Sequence, residues 1–391
     1  MTEPAALPPP ARPTPRLRSL DGLRGLAALV VVVHHCLLLF PSMAGAYLPA
    51  DPAPPQGPAG WLMTYSPLHV LWAGTESVYL FFVLSGIVLV LPVLSRPDFS
   101  WLAYYPRRLI RLYGPVLAAV ALGLLNYAVA PRYNDPAFGP WVNRRSNTYP
   151  PDAVLSDAIL LTGQSGRVSP LWSLEWEVLF SMLLPVYVLL LVRGRRFDAV
   201  KAVLLLAVLV VASVVNLIGL YYLSMFAVGA LTAVRWRTIE GWVKSWSARW
   251  RPFWPVVAGL GVVLTVNRWE LLGLGVSAVA ADDYAFLAVI GVWLLVLTAW
   301  FCPRVSRFLH APAWQAAGRI SFSLYLVHEP IVLSCRFLTA PAPPWVAILV
   351  AVPTALVVAV LFERLVESRF HRLAQRVGRA LQPRTPVPAR V

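Results

Sequence analysis

Ionisable side chains inside apolar runs are costly to bury, so each one marks a candidate for chemistry. The segment RGLAALVVVVHHC, residues 24–36, opens on Arg24 and closes on His34 and His35. At about 100° and 1.5 Å per residue, Arg24 and His35 fall within roughly 20° of one helix face and about 16 Å apart along it, with His34 about 80° away. A histidine in that position can accept a proton or attack a carbonyl. The plainer account has both histidines hydrogen-bonding across a helix bundle.

Three further clusters stand out. In WLAYYPRRLIRLYGP, Arg107, Arg108 and Arg111 can crowd one side of a helical turn, and Pro106 is expected as the first helical residue, leaving backbone N–H groups open. Together these make an anion site suited to phosphate, while a basic inner loop explains the arginines equally well. In SPLWSLEWEVLFSMLLP, Glu175 and Glu177 diverge by about 200° on a helix, so at most one faces a given cavity. In GRISFSLYLVHEPI, His328 and Glu329 precede Pro330, as structural partners at a kink or as part of a proton relay.

The elements that position these groups follow from composition. The chain of 391 residues is 58% hydrophobic and 13% charged, with a mean hydropathy of +0.66, which is outside the range of soluble domains. Apolar runs near 23–40, 75–95, 112–130, 171–192, 202–218, 220–234, 252–267, 285–302, 320–337 and 346–362 predict an all-α, polytopic membrane bundle of ten spans. With both termini cytoplasmic, the inner segments hold 26 of the 33 Lys and Arg residues, the bias expected of cytoplasmic loops. The net charge of +15 is therefore read as topology, and nucleic acid is excluded as a partner. Cys36, Cys302 and Cys335 have no metal-ligand spacing, so no metal and no disulfide are expected. The domain is bounded at 17–372, with residues 1–16 and 373–391 as disordered cytoplasmic ends, the second basic; an amphipathic stretch after 363 is expected to lie on the anionic inner leaflet.

Five motifs in order, LDGLRGLAALVVVVHH, VYLFFVLSGIVL, RRLIRLYGP, LWSLEWEVLF and ISFSLYLVHEP, resemble the acyltransferase-3 family of multi-span membrane O-acyltransferases, in its stand-alone form without an SGNH domain. The resemblance implies transfer of an acyl group, often acetyl, from coenzyme A to a hydroxyl of a surface glycan, glycolipid or macrolide, in the inner (plasma) membrane. It places the family's Arg-x(10)-His signature on Arg24 and His35, its Arg-x-x-Arg signature on Arg108 and Arg111, its glutamate on Glu177 and its later histidine on His328. Ser181 stands where the family often has tyrosine, and Tyr79 where many members have aspartate.

The resulting expectation is an acyl-CoA-dependent enzyme with no tightly bound cofactor. Arg108 and Arg111, with Arg107, hold the donor phosphates. His35 serves as general base or as an acyl-accepting nucleophile, Arg24 contacts phosphate or organises Asp21, and Glu177 orients the acceptor or His35. The competing class is a carrier or flippase working through the same polar centre. Reporters fused after Arg196, Arg251 and Arg379 are expected to read cytoplasmic, and those at Pro55 and Tyr149 external. An internal reading at Tyr149 would invalidate the span scheme, because loop 131–170 carries four arginines.

Overall fold

The computed structural model describes residues 17–47, 57–96 and 99–382. The expected disordered segment 1–16 and the last residues of the tail lie outside them. The described residues form helices and connecting turns, with no strand among them. Eleven helices matter for the site: α1 (Arg18–Leu37), α2 (Gly74–Ser95), α3 (Trp101–Val129), α4 (Leu171–Val192), α5 (Asp198–Val214), α6 (Ile218–Arg249), α7 (Phe253–Thr265), α8 (Phe286–Phe301), α9 (Pro312–Thr339), α10 (Pro344–Phe362) and α11 (Ser368–Ala380).

Each of the ten apolar runs is helical, but they are not equivalent. Among the described residues, six helices are long and apolar enough to cross a membrane: α1, α2, α3, α4, α6 and the run Pro344–Ala380. The number rises to eight if α7 with Asn267–Gly273, bent by 65°, and α8 with Pro303–Leu309, bent by 84°, each count as one span. The other two are α5, with 17 residues, and α9, whose apolar run carries His328, Glu329 and Arg336.

Local sequence sets the helix starts. The Ser100 hydroxyl accepts from the Ala103 N–H at 3.2 Å and caps α3, which therefore begins at Trp101. Pro106 lies inside that helix and not at its first position. The open N–H groups expected beside the arginines are thus already used within the helix, and the anion site cannot be a helix N-terminus. Pro312 and Pro344 do occupy first-turn positions, in α9 and α10.

The centre of the bundle is the contact between α1 and α9. Gly25 lies against Gly318 and His35 against His328. The offset between partners is the same at both points, so the two helices run parallel without slipping over about three turns. Small residues permit this approach: a Cβ on Gly25 would overlap the Gly318 nitrogen and stand 2.7 Å from the Ala317 carbonyl carbon. On the other side of α9, the buried alanines 347, 351, 355 and 359 form one stripe of α10. We call the end where α1, α3 and α9 begin proximal, and the other end distal.

The amphipathic segment after α10 packs in part against α3. It continues through a π-helical turn, Glu363–Glu367, into α11, so helix extends eight residues past the expected boundary at 372. Phe370 packs where Gly114 of α3 leaves room, and Gly378 meets the Arg107 side chain. Gly25→Ala is expected to destabilise the fold by at least about 1–3 kcal/mol, since backbone on both helices must separate. Gly241→Ala on α6, which has nothing within 4 Å of the added Cβ, should be neutral or mildly stabilising. Thermal unfolding of the two purified variants checks the contrast.

Candidate active site

A cavity opens at the proximal end, between α1, α2, α3, α4, α9 and the π-turn. Its polar walls are Arg24, Ser85, Arg108, Arg111, Ser173, Glu177, Ser321, Tyr325 and Glu367. Four sequence candidates from three helices are therefore brought together: Arg24, Arg108, Arg111 and Glu177. Glu175 is not among the walls, in line with the divergence expected of the two glutamates.

The arginines do different things. Arg108 is buried and forms an ion pair with Glu177, while its Nε donates to Ser181 Oγ at 2.9 Å. Ser85 donates to both Glu177 oxygens at 3.0 and 3.1 Å. Ser181 in turn donates to the Glu177 carbonyl at 2.6 Å, and the Tyr104 hydroxyl donates to the Ser181 carbonyl at 3.2 Å. Ser181, the departure from the family's tyrosine, thus supports Arg108 at the cavity. Tyr79, the other departure, packs against the rings of Tyr221 and Tyr222. Arg111 lines the cavity as well, and among the described residues it forms no ion pair within 4.0 Å. Arg107 turns away from it, to α11, so the three arginines do not form one cluster.

His35 is not a wall of this cavity. It lies about 16 Å further along α1 than Arg24; between the two comes Tyr325, which lines the cavity, shares a hydrogen bond of 2.8 Å with Ser173 and has its ring 6.1 Å from that of His328. The surroundings of His35 fix its hydrogen-bonding state. His328 Nδ1 lies 2.9 Å from the Leu324 carbonyl and 2.8 Å from that of Tyr325. Carbonyls only accept, so this nitrogen carries the hydrogen and His328 Nε2 presents a lone pair. That lone pair is 3.0 Å from His35 Nδ1, which is also 3.0 Å from the Val31 carbonyl. His35 Nδ1 therefore carries a hydrogen, and its Nε2 is the unprotonated nitrogen.

His34 is buried and occupied differently. Its Nδ1 donates to the Trp72 carbonyl at 3.0 Å, and its ring meets those of His35 and Tyr47 edge-on at 5.0 and 4.8 Å. Asp21 sits at the exposed start of α1, its carbonyl against Gly318.

Toward the distal end, His35 and Glu329 meet side chains that sequence reading did not select. The Trp141 ring lies 5.6 Å from that of His35, and the Arg145 guanidinium covers Trp141 at 4.7 Å. Arg145 also meets the fully buried Glu329 at 3.3 Å, so loop 131–170 is tied to α9 one residue after His328. Beside this, Tyr47 donates to His69 Nε2 at 2.8 Å, His69 donates from Nδ1 to the Thr64 carbonyl at 2.9 Å, and Trp269 stacks on His69. Burial holds the His69 imidazole well below its ordinary range, which keeps this cluster neutral.

Fold and site together define an all-helical membrane protein with a cationic cavity at one end and an oriented imidazole pair toward the other. Residues 17–364 match the acyltransferase domain of the acyltransferase-3 family, and the chain belongs to that family. It is a membrane acyltransferase. No curated protein and no solved structure matches the chain.

Because Arg108 and Glu177 neutralise each other with little water contact, removing one partner leaves the other uncompensated. Arg108→Gln and Glu177→Gln are each expected to lower stability by about 2 kcal/mol, less than the ~3–5 kcal/mol of fully enclosed pairs because both side chains touch the cavity. The double variant should recover part of that loss, and a double-mutant cycle on unfolding measures the coupling.

Proposed function

We propose that the protein transfers an acyl group from acyl-CoA to a hydroxyl of an external glycan, glycolipid or macrolide-type acceptor, with His35 as the general base. The observation that carries this reading is the hydrogen-bond pattern His328–His35, which leaves a lone pair on His35 Nε2. A base needs that lone pair and a partner for the charge it gains on accepting a proton. His328 supplies the second: once His35 is cationic, its Nδ1–H makes a stronger, charge-assisted bond to His328 Nε2. His328 is thus a positioning residue.

The donor enters at the proximal end, which the distribution of basic residues assigns to the cytoplasm in a ten-span arrangement. Its phosphates meet Arg111 and Arg24, since Arg108 is engaged by Glu177. The pantetheine arm runs along α1 and α9, past Tyr325 and Ser173, and carries the thioester toward His35. The ~16 Å rise between Arg24 and His35 suits such an extended arm. The acceptor hydroxyl loses its proton to His35 Nε2 as its oxygen attacks the thioester carbon. The C–S bond then breaks, and the proton leaves with the coenzyme A thiolate. The Arg108–Glu177 pair holds α3, α4 and α2 around the arm.

Release of coenzyme A from acetyl-CoA by protein in nanodiscs, with a surface-glycan extract as acceptor, tests the reading. His35→Ala should lower turnover by ~10²–10⁴-fold with the protein still folded. His34→Ala should cost far less. His328→Gln, which retains an acceptor for the His35 Nδ1–H, should keep more activity than His328→Leu. Near-normal turnover in His35→Ala would remove the proposed base and favour a carrier, which moves its substrate without consuming thioester.

A further inference from the structure

The cavity contains a carboxylate that the reaction does not use. Glu367 is the last residue of the π-helical turn between α10 and α11, a local widening that often accompanies a functional position. Its Oε2 accepts from the Ser323 hydroxyl of α9 at 2.6 Å, and the side chain lines the same cavity as Arg24 and Arg111. Both arginines act on Glu367 electrostatically. Among the described residues no ion pair within 4.0 Å joins it to either one. The carboxylate is held on the α9 wall by Ser323 and faces the cations across open space. Its backbone is fixed from both directions, by α10 against α9 and by Phe370 of α11 against Gly114 of α3.

We infer that Glu367 is the internal counter-ion of the donor site: it balances Arg24 and Arg111 in the empty protein, and the phosphates of the donor bind in competition with its field. This rests on the assignment of the cavity to acyl-CoA. With Arg108 engaged by Glu177, the charge that attracts the donor is set by two arginines against one glutamate. Glu367 therefore lowers affinity for the anionic part of the donor and its coenzyme A product, and favours product release. Ser323 limits the effect, because its hydroxyl keeps the carboxylate from closing on the arginines.

The assignment gives opposite signs for two neighbouring substitutions. Coenzyme A binding to the purified full-length protein is measured by calorimetry, with pantetheine, which lacks phosphates, as the neutral probe. Glu367→Gln should bind coenzyme A several-fold more tightly, with pantetheine unchanged. Ser323→Ala, which frees the carboxylate to approach Arg24 and Arg111, should bind coenzyme A more weakly. A purely structural Glu367 predicts weaker binding in both. Unchanged or weaker binding in folded Glu367→Gln overturns the inference, and so does unchanged or tighter binding in Ser323→Ala, which stands as the test if the first variant does not fold. Arg111→Gln separates this from the donor assignment: if it binds coenzyme A as the unmodified protein does, the cavity is not the donor site, whatever Glu367 does.

Discussion

The close parallel packing of α1 on α9 is the constraint on which the rest depends. Two helices can share a register over three turns at this separation only if no side chain keeps their backbones apart, and Gly25 facing Gly318 meets that condition. With the register set, His35 must meet His328, and Arg24 must share a cavity with Ser321 and Tyr325. The two carbonyls that hold His328 Nδ1 come from the preceding turn of α9 itself. The state of the base is therefore written into the backbone of its neighbour, not into a charged partner. A carboxylate beside His35 would stabilise the protonated imidazole before substrate arrives; here an uncharged imidazole takes that place.

Charge is distributed by the same logic. Arg108 is matched by Glu177, and Arg145 by Glu329, and each pair fastens one element to another: α3 to α4, and the distal loop to α9. Arg111 differs from them in lining the cavity with no ion pair within 4.0 Å among the described residues. A bundle that binds a polyanion at one end needs some cations uncommitted and others locked, and the serines decide which are which. Ser85 and Ser181 secure the Arg108–Glu177 pair, whereas Ser323 holds Glu367 away from Arg24 and Arg111.

Much of this was legible in the sequence, for reasons that also explain the remainder. Helix positions followed from apolar length, and the common face of Arg24 and His35 from helical angle alone. Motif resemblance pointed to His328 and Glu177 but not to the partners they meet, His35 and Arg108, because the contacts join residues 293 and 69 positions apart. Pro106 was misplaced because the Ser100 cap six residues before it carries a weaker signal than proline does. Arg145 looked like a topological anomaly in an outer loop, and only the fold shows that it turns inward to a buried glutamate. Glu367 was passed over because the segment around it reads as a basic surface helix. Its position in the cavity comes from a π-turn, and neither periodicity nor composition announces one.

The central claim is that packing of α1 on α9 holds His35 with its hydrogen on Nδ1 and a free lone pair on Nε2. Nitrogen NMR of protein labelled at its six histidines, with His35 and His328 assigned by single substitution to glutamine, reads this directly. The account predicts the Nδ1–H tautomer for both residues at neutral pH, with a coupling between His35 Nδ1 and His328 Nε2. A His35 found with its hydrogen on Nε2, or protonated on both nitrogens in the resting protein, would contradict it.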